Sequence, residues 1–179
     1  MARRDARARL ARRAPTDARI VPLDRALAAR VDRDLHPVPF IEIDWVDYDR
    51  YARHGFGFCL LVGRAIASAV YAIAVSATHA MVNVFTAARF RRRGFATRVS
   101  ARFIAHCLEN GHLPVWDCDR VNVASAATAA RLGFVEARPF VELGMPERSG
   151  LQMSRGRVGA GRAVPGGRRR VASRQVLAG

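Results

Sequence analysis

Residues 91–96, Arg91-Arg92-Arg93-Gly94-Phe95-Ala96, carry the clearest chemistry in the 179-residue chain. Their types and spacing suit the cradling of a diphosphate. A helix starting near Phe95 leaves its first amides without intrahelical acceptors and points the positive end of its dipole outward, which favours an anion. Gly94 lets the backbone turn with its amides facing inward and lets a phosphate approach where a Cβ would stand in the way. Ala96 keeps the next turn open, and Arg89 with Arg91, Arg92 and Arg93 brings up to four guanidinium groups to the anion. Taken alone, the same residues also describe a basic surface loop capping a helix.

The elements around this loop follow from periodicity. Leu23, Leu27, Val31 and Leu35 are spaced by four and predict a helix over 23–35, ended by His36-Pro37-Val38-Pro39. Phe40–Ile43 is expected to be short and extended, with a helix turn or a loop over Asp44–Tyr51. Gly57–Val62, Ala65–Val75 and Met81–Thr86 are apolar, partly β-branched runs with short breaks, which predicts an antiparallel meander. The period then changes: Phe95, Val99, Phe103 and Cys107 share a helical face up to Gly111. A strand over Leu113–Cys118, a helix over Val123–Leu132 capped by Asn122 and closed by Gly133, and a last strand over Phe134–Leu143 complete the pattern. A strand–helix–strand step makes its two strands parallel. The expected fold is therefore α/β (α+β): a mixed sheet with an antiparallel meander followed by a parallel β-α-β unit.

Charge divides the chain into three. The formal charge is +15, and all thirty cations are Arg. Residues 1–13 hold six Arg against Asp5, and residues 148–179 hold eight Arg and no acid. The middle, with sixteen Arg against fourteen acids, has the balance of an ordinary soluble domain. The reading is a disordered Arg-rich tail over 1–19, one domain over 20–146, and a disordered Arg- and Gly-rich tail over 147–179. A chain without Lys fits biased codon usage better than selection for a polyanion, which argues against nucleic acid as a partner. Cys59, Cys107 and Cys118 form no CxxC pair, so neither a disulfide framework nor a metal site is expected. No apolar run suits a secretory signal or a membrane span, leaving a cytoplasmic protein as the default.

The stretch Phe90-Arg-Arg-Arg-Gly-Phe-Ala-Thr97 resembles the R/Q-x-x-G-x-G/A loop of the GNAT superfamily of N-acetyltransferases, with Arg91, Gly94 and Ala96 at the defining positions. Asn122-Val-Ala-Ser125 with Leu132-Gly133-Phe134 is similar to the family's helix that begins with Asn and ends in Gly-Phe. Trp116-Asp117-Cys118 ahead of them resembles a bacterial subgroup. The resemblance covers roughly residues 20–143 and implies acetyl-CoA (coenzyme A) as co-substrate, without a metal, and a small amine as acceptor. It implies that the strands over 81–86 and 113–118 splay apart. The pantetheine arm would lie between them on amides near Val84, Phe85 and Thr86. The diphosphate would rest on the amides of Arg92, Arg93, Gly94, Phe95, Ala96 and Thr97, with Asn122 and Ser125 near the cofactor arm.

Two proton-transfer residues of the family pattern are missing. Its strand Glu falls at Met81 or a neighbour, and no carboxylate lies between Ala65 and Ala96; its helix Tyr falls at Ala129. His79 could replace the base, its ordinary titration range being suitable, and Asp117 or Asp119 could bind a cationic acceptor or accept a proton. Positioning alone supplies much of the acceleration of such a transfer. Besides an N-acetyltransferase, the sequence thus allows a degenerate CoA-binding module and nucleic-acid binding through the Arg-rich tails. A homodimer is compatible with it, and the acceptor is not specified.

Overall fold

The computed structural model describes residues 17–35, 39–119, 121–143 and 171–178. Seven strands form one sheet: β1 (Ala18–Pro22), β2 (Gly57–Val62), β3 (Ala65–Val75), β4 (His79–Thr86), β5 (Leu113–Asp119), β6 (Val135–Leu143) and β7 (Val171–Ala178). Their spatial order is β1-β2-β3-β4-β5-β7-β6. From β1 to β4 all pairing is antiparallel, β4 and β5 are parallel, and β7 runs antiparallel to both β5 and β6. The expected mixed sheet is present, with a strand added at each end of the chain.

One face carries α4 (Phe95–Glu109) and α5 (Val123–Arg131). Phe95, Val99, Phe103 and Cys107 of α4 are buried against Leu60, Val70, Ala72, Val82 and Trp116 of the sheet, as the four-residue spacing predicts. The other face carries α1 (Arg25–Leu35), α2 (Phe40–Trp45) and α3 (Tyr48–His54), packed on Cys59, Leu61, Ile66, Ala69 and Tyr71. Cys59, Cys107 and Cys118 are free thiols within these cores, and burial pushes Cys59 and Cys107 up to about 12. Among the described residues no helix is long and apolar enough to cross a membrane.

Three expectations change. Phe40–Ile43 is helical instead of extended, for a tertiary reason. Asp32 of α1, only 4% exposed, accepts the backbone N–H of Ile41 at 3.0 Å and of Glu42 at 3.1 Å, together with the Tyr48 hydroxyl at 3.1 Å. A carboxylate seven positions before Pro39 thereby does the work of an N-cap for α2. Residues 18–19, assigned to the N-terminal tail, belong to β1, an edge strand paired with β2 alone, where Pro22 is tolerated. Residues 171–178, assigned to the C-terminal tail, form β7 inside the sheet. Pairing on both sides supplies the order that the sequence's own periodicity does not. Residues 1–16 and 144–170 lie outside the described residues.

α2 is tied down a second time, because the Trp45 indole N–H donates to the Ala72 carbonyl at 2.8 Å. Ala72 borders the register shift where β3 carries one residue more than β4. The turn into α3 then passes through Val46 at φ 73°, a left-handed conformation that costs a β-branched residue about 1–2 kcal/mol. Such a turn persists only because Asp32 and Trp45 fix both its flanks. Asp32→Ala should therefore cost about 3 kcal/mol by denaturant titration, since three donors lose a buried charged partner, while Tyr48→Phe should cost only about 1 kcal/mol.

Candidate active site

The parallel ladder between β4 and β5 is short. His79, Ala80, Met81 and Val82 pair with Leu113, Pro114, Val115 and Trp116, and there it stops. Beyond it, Asn83–Thr86 pairs with β3 alone, and Asp117–Asp119 pairs with β7. The two strands fork. The Leu113 amide donates to the Thr78 carbonyl at 2.7 Å, and the Ala87 amide donates to Ala67 of β3 at 3.0 Å. Because the backbone alternates sides along a strand, Val84 and Thr86 turn their amides into the fork, while Asn83 and Phe85 turn theirs toward β3. Of the three amides expected to meet a pantetheine arm, those of Val84 and Thr86 are turned into the fork. Phe85 is not: its backbone faces β3, its carbonyl accepts from Ser68 Oγ at 2.7 Å, and its ring stacks on Phe40 at 5.8 Å.

The loop from β4 to α4 opens at the end of this fork. Arg92 at φ 61° and Gly94 at φ 76° are both left-handed, so the chain turns twice within three residues. Gly94 is the N-cap of α4 and supplies no side-chain cap, so Phe95, Ala96 and Thr97 present helix-start amides to an incoming group. A Cβ built on Gly94 would meet nothing within 4 Å; the space it would enter is open to a ligand. The Phe95 side chain is core, 1% exposed, and anchors the helix whose amides form the cradle. The arginines divide their work. Arg91 Nε donates to the Thr86 carbonyl at 3.2 Å and ties the loop to the strand end. Arg89 and Arg93 lie over the Phe90 ring at 4.9 and 5.7 Å.

On the α1–α3 face beside the fork stands a polar chain that the sequence reading did not single out. Asn83 Nδ2 donates to the Tyr71 hydroxyl at 3.1 Å, and Tyr71 donates to Asp44 Oδ2 at 3.0 Å. Tyr71 is fully buried, whereas Asp44 has an outer side open to solvent. Desolvation of the carboxyl raises Asp44 above its ordinary range, the Tyr71 hydrogen bond opposing and Asp32 adding to the rise. The tyrosine is raised far above its ordinary value, chiefly by burial and then by Asp44. The sequence signals of this polar chain are the acidic segment Asp44–Asp49, which could attract a cationic amine or be a solvated loop, and Asn83, a polar residue in an apolar strand.

A GNAT acetyltransferase family model matches residues 3–142. The chain belongs to the GNAT acetyltransferase family. Over 111 residues it is 39% identical to the uncharacterized N-acetyltransferase YdfB of Bacillus subtilis, covering 59% of this chain and 42% of that protein. The Salmonella typhimurium protein yncA, solved with its cofactor acetyl-CoA, superposes with a TM-score of 0.63 at 11% identity, over 91% of this chain and 93% of that one. A GCN5-related N-acetyltransferase-like protein from Streptococcus suis gives a TM-score of 0.60 at 22% identity, over 70% of this chain and 49% of its own. The ribosomal-protein-S18-alanine N-acetyltransferase of Escherichia coli gives 0.59 at 16% identity, over 90% and 92%. The chain thus spans about two fifths to a half of YdfB and the Streptococcus suis protein.

GNAT residues that sequence reasoning placed near the cofactor have structural partners here. Asn122 Oδ1 accepts the Ser125 amide at 3.1 Å and caps α5. Ser125 Oγ accepts the Trp116 indole N–H at 3.0 Å. Trp116 is 1% exposed, so Ser125 satisfies a buried donor and locks α5 to β5 just where the fork opens. Ala129, at the position of the usual GNAT tyrosine, is wholly buried in the core and leaves no room for a phenol.

The two candidate proton-transfer residues part company. His79 starts β4, pairs with Leu113 and shares a 2.7 Å hydrogen bond with the Thr78 hydroxyl. Four residues of strand, about 13 Å at roughly 3.3 Å per residue, separate it from Asn83, and the diphosphate loop is farther still. The fold thus directs His79 to the closed end of the ladder, away from the fork. Asp117 is the first β5 residue past the last β4 pair, and by strand alternation it lies on the same sheet face as Asn83.

Gly94→Asp should abolish the rise in melting temperature that CoA gives the parent, which at a hundredfold excess over Kd corresponds to about 2.7 kcal/mol. Ser125→Ala should do the reverse. It should lower stability by about 1–3 kcal/mol through the unpaired indole N–H and leave the CoA-induced rise intact in a thermal-shift assay.

Proposed function

We propose that this GNAT acetyltransferase moves the acetyl group of acetyl-CoA to the nitrogen of a small amine in the cytoplasm, using the fork between β4 and β5 as its reaction site. The observation that carries the reading is the end of pairing at Val82 and Trp116, which turns the Val84 and Thr86 amides toward a groove that ends at the α4 cradle. Those amides would hold the pantetheine arm, and the amides of Phe95, Ala96 and Thr97 would hold the diphosphate, with the neighbouring arginines compensating its charge. The Trp116-Asp117-Cys118…Asn122-x-x-Ser125 signature would mark a subgroup in which the Trp116–Ser125 bond fixes one side of the groove.

In the transfer the acceptor, having lost one proton to solvent, attacks the thioester carbonyl carbon as the neutral amine; the carbon–sulfur bond breaks, and the nitrogen's second proton passes by way of the nearby carboxylate to the departing thiolate. Asp117 stands where a carboxylate would attract a cationic amine. A carboxylate is too weak a base to strip a free ammonium, which loses that first proton to solvent. The carboxylate becomes competent as the N–C bond forms, because the attacked nitrogen turns strongly acidic. The absence of the usual strand Glu is then no obstacle, since the acceptor's charge is met from β5.

Free thiol released from acetyl-CoA should exceed hydrolysis for at least one member of a panel of polyamines, amino-acid amides and aminoalkyl compounds, and Asp117→Asn should lower kcat/KM for that amine by about 10–100-fold. Equal release with and without every amine would contradict the reading.

A further inference from the structure

The chain Asp44–Tyr71–Asn83 fixes which end of the Asn83 amide faces the fork. A tyrosine hydroxyl has one hydrogen to give. An ionised carboxylate has only lone pairs, so that hydrogen goes to Asp44 Oδ2, 3.0 Å away. The Tyr71 oxygen can then only accept, and the group of Asn83 that meets it at 3.1 Å must be the amide nitrogen. The Oδ1 oxygen is directed away from Tyr71. Asn83 is the first β4 residue beyond the last pair with β5, and its side chain shares the α1–α3 face with Asp117. Buried Tyr71 cannot swing away, and α2 holds Asp44 in place through Asp32 and Trp45.

We infer that Asn83 Oδ1 is a specificity-determining acceptor that receives an N–H of the substrate nitrogen at the mouth of the fork, with Tyr71 and Asp44 as positioning residues that stop the amide from flipping. The inference rests on the acetyl-transfer reading and narrows its acceptor class. The nitrogen must still carry a hydrogen toward Asn83 while its lone pair faces the thioester. Primary amines satisfy this, and hydroxyl acceptors do so poorly, because their single hydrogen is also the one to be removed.

Two CoA derivatives test this without a known acceptor. In one, the sulfur carries CH2–CO–NH–CH3; in the other, the isosteric ester CH2–CO–O–CH3. Both share every contact of the CoA body, and only the first offers an N–H where the acceptor nitrogen would sit. By calorimetry the amide should bind the parent protein about tenfold more tightly than the ester. In Asn83→Ala the ratio should fall to about one while CoA itself binds as before, which also shows that the variant is folded. Tyr71→Phe and Asp44→Ala, both remote from the ligand, should lower the ratio as well, because the amide is then free to turn; a merely structural role would not move it. A parent ratio near one, or a tenfold ratio surviving in Asn83→Ala, overturns the inference and leaves the CoA site standing. Failure of CoA and both derivatives to bind overturns the acetyl-transfer reading and this inference with it.

Discussion

Every feature of the site depends on a backbone constraint: β4 and β5 share only four residue pairs before they separate. Within a sheet a strand satisfies its amides on both sides, and any amide left over must find a partner elsewhere or face solvent. β7 pairs with the opposite edge of β5 from Val115 to Asp119, so beyond Trp116 β5 keeps β7 beside it and β4 continues with β3 alone. Val84 and Thr86 keep amides turned into the opening. In the proposed reading a long, amide-bearing ligand would fit that groove as an extra strand fits a sheet edge, with the loop before α4 at its far end. The loop, the two helices on one face and the three on the other serve to hold that opening at a fixed shape.

The two faces of the sheet contribute unequally. On the α4–α5 face almost everything near the fork is structural: Asn122 caps, Ser125 satisfies Trp116, and Ala129 fills the core. On the α1–α3 face the polar groups gather, with Asp32 fixing α2 and α2 in turn carrying Asp44 to Tyr71. Val46, held at φ 73° directly after α2, shows that this placement is maintained against a local cost. The face that carries the polar chain is therefore the one whose two shortest helices, α2 and α3, depend most on tertiary contacts.

That asymmetry decides what the sequence could reveal. From Gly57 to Leu143 the elements are legible because each is long enough for its period to emerge, and α4 with its four-residue spacing is the clearest. Phe40–Trp45 misleads because six residues hold too little period, and its helix depends on Asp32, a partner outside the segment. β7 is hidden in a basic, Gly-rich stretch, since its order comes from two flanking strands instead of its own pattern. In the site, Gly94 and its neighbours are legible because a loop before a helix is a local device. The Tyr71–Asn83–Asp44 chain is not, because three residues from two strands and a helix meet only after folding. His79 shows the converse: being near the loop in sequence says nothing about which end of β4 a residue occupies.

In the proposed reaction the fork receives the pantetheine arm on the amides of Val84 and Thr86. Residue-resolved hydrogen exchange by NMR, with and without saturating acetyl-CoA, tests it most directly. The amides of Val84 and Thr86 should slow by at least about tenfold, together with those of Ala96 and Thr97, while Phe85, already facing β3, should change little. Protection confined to other segments, or equal protection of Phe85 and its neighbours, would contradict the account.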